Sequence, residues 1–149
     1  MKRMLSITAL LWLVVSVVYA QLPPPRDSND PIGQRIGWTP DQIAASVKAE
    51  GAFEFYSYSK YDEDDLLGFK TADGTLLMYT IKDGKATKAM MIAPTADGIG
   101  EGWKSVYLKP IPGHVWLLNE YWYHTPYANV FCVVRPEAGE MHFIYEPRK

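Results

Sequence analysis

The chain has 149 residues, with 15 Lys and Arg against 17 Asp and Glu, and a single cysteine, Cys132. This balance, without basic clusters, argues against nucleic acid and anionic membrane surfaces as partners, because both are bound mainly through Lys and Arg. One cysteine excludes an internal disulfide, and the length suits one domain with a buried core.

Residues 1–20 have the pattern of a secretory signal peptide. Lys2 and Arg3 precede an apolar run from Leu5 to Val18, and Ala20 supplies the small residue at the end. The run is too short to span a bilayer. We therefore expect cleavage after Ala20, a secreted or periplasmic location, and no membrane span in the mature chain.

The mature chain divides into a leader and one domain. Residues 21–37 hold four prolines, two glycines and few large apolar side chains, so the sequence predicts a flexible, proline-rich leader. A helix is expected at about 39–50, because Thr39 can act as N-cap, Pro40 suits the first helical position and Gln42 can complete a capping box. The single globular domain would then span residues 38–149.

The rest of the chain predicts antiparallel strands. The runs FEFYSYSK, LLGFKTA, TLLMYTI and KATKAMMIA are separated by turn formers such as Asp73-Gly74 and Asp83-Gly84. After a loop, residues 102–108 fit a short second helix or a strand. Three further runs, VWLLNEYWYH, NVFCVVR and MHFIY, predict a three-stranded meander over residues 115–145.

Together these elements predict an α+β fold. One N-terminal helix would pack on an antiparallel sheet of about six strands, because consecutive strands with tight turns and a helix at one end are typical of that class. A small closed β-barrel with one helix is the alternative architecture.

The meander suggests where a binding surface would lie. Side chains alternate between two faces of a strand, so one face should be mostly branched aliphatic and the other should mix aromatic with charged groups. A one-residue register error would exchange the faces. The predicted binding residues on the mixed face are Trp116, Glu120, Trp122, His124, Phe131, Arg135 and Tyr145.

This face leads to three hypotheses for function. The first is a small, exported, non-enzymatic domain that binds a small molecule or a protein through the aromatic face, which would also suit a homodimer contact. The second is a small hydrolase or isomerase with Glu120 and His124 as its acid–base pair. The third is a structural subunit of an envelope assembly, tethered by the leader.

Other reactive side chains favour structural roles. Cys132 lies between valines, which is typical of a small buried hydrophobe, although pairing on the same face would bring His142 near it. The three histidines form no paired metal motif, and the acidic run 62–65 lacks the glycine and distal glutamate of an EF-hand. The sequence thus predicts no metal, no cofactor and no assigned catalytic residue.

Overall fold

The computed structural model describes residues 30–108, 111–117 and 119–148, and of residues 115–117 it describes the backbone alone. The predicted signal peptide and residues 21–29 of the predicted leader lie outside this part. The α-helices are α1 (Pro40–Glu50) and α2 (Ile99–Tyr107), and short 3-10 helices span Gly33–Arg35 and Ala96–Gly98. The strands β1 to β8, in chain order, are Glu54–Lys60, Asp65–Lys70, Leu76–Lys82, Lys85–Pro94, Gly113–Leu117, Glu120–His124, Ala128–Arg135 and Glu140–Pro147.

All eight strands form one antiparallel sheet in the order β1-β2-β3-β4-β8-β7-β6-β5. Each half of the sheet is a helix followed by a four-strand meander, and the halves join where β4 pairs with β8. The predicted α+β class is confirmed. The sheet has eight strands rather than about six, and it is open, with β1 and β5 at its ends, rather than closed into a barrel.

One strand beyond the seven predicted runs comes from the predicted first strand of the meander. The run VWLLNEYWYH folds back on itself, so that β5 pairs with β6 and His114 lies opposite Trp122. The prediction of one continuous strand from Val115 is therefore wrong, because Asn119 occupies a turn inside an otherwise apolar and aromatic run.

The capping residues predicted for α1 act as expected. The backbone N–H of Gln42 donates to Thr39 Oγ1, and the backbone N–H of Thr39 donates to Gln42 Oε1. Gly51 ends the helix at a φ of +81°, which side chains other than glycine rarely adopt. The second helix is longer than predicted and begins earlier, at Ile99.

Both helices cover the same face of the sheet, which we call the covered face. Trp103 of α2 stacks on Phe53 with ring centroids 5.2 Å apart, and Gly100 lies against Met141 of β8. Helix α1 contributes Ile43 and Val47 to the same apolar core. The inward side chains of β2, β3, β4, β7 and β8 complete the core.

Residues 30–37 belong to the domain, so the predicted flexible leader is wrong for this segment. Ile32 and Arg35 have no exposed surface, and Asp30 is buried with its carboxylate accepting from the Gly33 N–H and the Thr125 hydroxyl. The backbone N–H of Gly37 donates to the carbonyl of Ala86. The segment therefore packs on the sheet despite a composition typical of loops.

Candidate functional site

The candidate site is the face of the sheet opposite both helices, which we call the open face. Among the described residues no helix covers it. An antiparallel sheet with one solvated face normally alternates apolar inward and polar outward residues. Here the outward positions of five neighbouring strands carry apolar side chains instead.

Strand register aligns these side chains into one row, which we call the central row. Met78 of β3 lies opposite Met90 of β4, and Met90 lies opposite Ile144 of β8. The row continues through Phe131 of β7 to Trp122 of β6. The rings of Trp122 and Phe131 are 4.6 Å apart between centroids, a separation at which aromatic pairs attract one another.

Polar and charged side chains form most of one row beside the central row and the two ends of the row on the other side. One flanking row includes Lys88, Asn129 and His124, with Asn129 paired to Glu146. The other has Lys70 and Glu120 at its two ends, and between them it carries Leu76, Ile92, His142 and Val133, so the apolar area extends to this side. An apolar centre with a polar rim is the usual composition of a protein interface.

Five of the seven predicted binding residues come together on the open face. Trp122 and Phe131 lie in the central row, and Glu120, His124 and Arg135 lie at its rim. Trp122 is 37% exposed, so its indole is accessible to a partner. The alternation predicted for the strands that carry these residues is confirmed.

The other two predicted residues do not join this group. The side chain of Trp116 lies outside the described part of the chain, although its backbone belongs to β5. Tyr145 has no exposed surface and lies on the covered face opposite Ala89. Burial raises the pKa of Tyr145 well above its usual value, and its hydroxyl has no hydrogen-bond partner among the described residues. Tyr145 is therefore a core residue.

The misplacement of Tyr145 reflects a register error for the whole of β8. The structure pairs Cys132 with Phe143 and Val133 with His142, so Met141, Phe143 and Tyr145 face the helices. The predicted proximity of His142 to Cys132 on one face is wrong. Cys132 is fully buried, and burial raises the pKa of its thiol to about 12, which keeps it protonated and unreactive.

Glu120 and His124 share the open face but are not close enough to act on one atom. They are four residues apart on β6, which corresponds to about 13 Å along an extended strand. His124 Nδ1 instead lies 2.8 Å from Asn129 Oδ1, and His142 Nε2 lies 2.7 Å from Glu140 Oε2. No group of three or more His, Cys, Asp or Glu side chains is placed to hold a metal ion within the described ranges.

Two depressions interrupt the open face, one that extends from β2 to β8 across the junction of the halves and one on the N-terminal half. The larger, of about 310 Å³, lies beside the central row and is lined by Leu66, Met78, Met90 and Ile144, with Lys88 and Glu146 among its polar residues. The smaller, of about 160 Å³, lies over Gly68 and is lined by side chains that include Tyr56, Leu66 and Met78. Sequence reasoning missed these N-terminal residues, because it did not predict that β4 pairs with β8.

Neither helix of the described chain is long and apolar enough to cross a membrane. Comparison with protein-family models, with curated proteins and with solved structures found no match to this chain.

Proposed function

We propose that the chain is an exported, non-enzymatic protein-interaction domain whose contact surface is the open face. The central row carries this proposal, because its five apolar side chains are contiguous and uncovered among the described residues. A contiguous exposed apolar patch with a polar rim typically marks a site of association. Export is inferred from the signal-peptide pattern of residues 1–20.

The shape of the open face favours a protein over a small molecule. Five neighbouring strands place the ends of the central row about 19 Å apart, because strands lie about 4.8 Å from one another. Small-molecule sites are usually concave, with volumes of about 300 to 1,000 Å³. The larger depression, at about 310 Å³, is at the bottom of that range and covers only part of the row.

The geometry gives less support to an enzyme. The separation of Glu120 and His124 prevents a concerted acid–base step on one substrate atom, and Trp122 lies between them on the same face. A structural role in an envelope assembly would use the same interaction surface and is a special case of the proposal.

Photo-crosslinking tests the proposal in cells that make the full chain. Phe131 is replaced by p-benzoylphenylalanine, and the matched control carries the same replacement at Val106, which is 63% exposed on α2. We expect light-dependent protein adducts from position 131 and none from position 106. The adducts should disappear when Trp122→Ala is added, while thermal unfolding shows a loss of only about 1 kcal/mol from the missing ring pair.

Adducts that form equally from both positions would contradict the proposal, as would their absence at position 131. Unfolding of the Trp122→Ala variant would also contradict it, because Trp122 would then be needed for the core rather than for a partner.

A further inference from the structure

We infer that the protein bound at the open face is a second copy of this chain. The inference rests on the proposed function and names its partner. The two sheets would pack face to face about a two-fold axis that runs parallel to the strands, along the seam where β4 pairs with β8.

The charges of the open face are divided between its two halves. Lys70 and Lys88 lie on the half formed by β1 to β4, whereas Glu120, Glu140 and Glu146 lie on the half formed by β5 to β8. Arg135 and Glu54 are the exceptions: Arg135 is the last residue of β7, and Glu54 is the first residue of β1, where it pairs with Lys70. A two-fold axis along the seam places the lysine half of each copy against the glutamate half of the other.

The strand order sets which strands of the two copies face each other. Counted outward from the seam, β4 faces β8 of the second copy, β3 faces β7, and β2 faces β6. Lys88 then meets Glu146 of the second copy, and Lys70 meets Glu120. Each pairing occurs twice in the dimer. A two-fold axis in the plane of the sheet and perpendicular to the strands would instead place the lysine half of each copy against the lysine half of the other, so the charges favour the first arrangement.

Under the same axis, the side chains of the central rows of the two copies are complementary in size. Met90 meets Ile144 of the second copy, and Met78 meets Phe131. Gly68 of β2, which has no side chain and lies beside Ser57 and Tyr56 of β1, meets Trp122, whose indole is large and exposed. The depression of about 160 Å³ over Gly68 is therefore in the position that would accept the Trp122 ring of the second copy.

The open face is large enough for a stable dimer. Eight strands about 4.8 Å apart give a width of about 34 Å, and strands of about six residues give a length of about 20 Å. The resulting area of roughly 700 Å² in plan, before side-chain relief is added, compares with about 800 Å² per partner in standard interfaces.

Sedimentation equilibrium of the purified mature chain, without the predicted signal peptide, tests the inference. We expect a mass twice that of the mature monomer at micromolar concentration. Trp122→Glu should weaken the dimer at least about 100-fold, because it removes from each copy the aromatic anchor at the end of the central row and buries a charge. Lys70→Glu and Glu120→Lys should each weaken it about tenfold, because each creates two like-charge contacts.

The double variant Lys70→Glu with Glu120→Lys is the decisive measurement. It exchanges the two charges and should restore dimer affinity to within about threefold of the unmodified chain, since opposite charges again face each other. The control is Lys48→Glu, an exposed charge reversal on α1 that should leave the dimer unchanged. Circular dichroism melting of every variant confirms that it is folded.

A chain that stays monomeric at millimolar concentration would overturn the inference, as would a dimer that is indifferent to Trp122→Glu or a charge exchange that fails to restore affinity. A monomeric chain that still forms adducts from position 131 with a different protein would overturn the inference and retain the proposed function. A monomeric chain without adducts would overturn both.

Discussion

The side chain of Arg35 forms hydrogen bonds with three other residues in the described core. Its guanidinium is fully buried and donates to Glu50 Oε2 at 2.5 Å, to Ser46 Oγ at 3.2 Å and to the Tyr79 hydroxyl at 3.3 Å. The Tyr107 hydroxyl donates to the other oxygen of Glu50 at 2.5 Å. Burial raises the pKa of Tyr79 to about 12, so its hydroxyl stays neutral beside the charged pair.

Replacing only Arg35 or only Glu50 should lower the free energy of unfolding more than replacing both. Arg35→Met leaves the Glu50 carboxylate, whose side chain is 4% exposed, without its cation, and we expect a loss of about 3 to 5 kcal/mol in the free energy of unfolding. Urea denaturation measures this loss.

The double variant Arg35→Met with Glu50→Met serves as the control for the ion pair. It removes both charges together and should recover part of the stability lost in the single variant. A loss below about 1 kcal/mol for Arg35→Met alone would show that Glu50 does not depend on this partner.

Helix α1 depends on the capping box at its first turn. Thr39→Ala removes the acceptor for the Gln42 N–H, and we expect the free energy of unfolding to fall by about 1 kcal/mol. Thr39→Ser keeps the hydroxyl and is the matched control, with a loss of a few tenths of a kcal/mol. Thermal and urea unfolding measure both variants. Equal losses from alanine and serine would mean that the threonine methyl group, rather than the cap, stabilises the helix start.

Elements specified by neighbouring residues were predicted correctly from the sequence. The capping box of α1 and the turn at Asp83-Gly84, where both residues have positive φ, depend on contacts within a few positions. The register of β8 was predicted wrongly. The four-residue loop 136–139 fits several pairings, and a shift of one residue reverses the faces of the strand. For this reason Tyr145 was assigned to the binding face although it is buried.

In the whole molecule, segments that are distant in the sequence contact one another, and local patterns do not encode these contacts. The C-terminal half of the open face was predictable, since Trp122 and Phe131 follow simple alternation on adjacent strands. The N-terminal half, with Met78 and Met90, required knowledge that β4 pairs with β8. Likewise Arg35 contacts Glu50 and Tyr79, which are 15 and 44 positions away, so a segment with a loop-like composition proved to be part of the core.

Residues 30–37 should therefore be required for the stability of the whole domain. They contact three separated regions: Arg35 reaches α1, Ile32 accepts from the Tyr79 hydroxyl through its carbonyl, and Asp30 accepts from Thr125 in the turn between β6 and β7. A chain beginning at Trp38 loses these contacts together and leaves Glu50 buried without its arginine. We expect it to lose most of the cooperative urea transition that the full chain shows, since stabilities of about 5 to 15 kcal/mol do not survive such losses.

Ile32→Ala provides a milder version of the same test in the full chain. It should cost about 2 to 5 kcal/mol because Ile32 has no exposed surface, while Val106→Ala on the exposed side of α2 should cost about 0.5 kcal/mol or less. Retention of full stability by the chain that begins at Trp38 would contradict the expectation and would place the start of the domain where composition alone had put it. Loss of the transition in the truncated chain, with an intermediate loss for Ile32→Ala, would establish that this segment fastens α1 to both halves of the sheet.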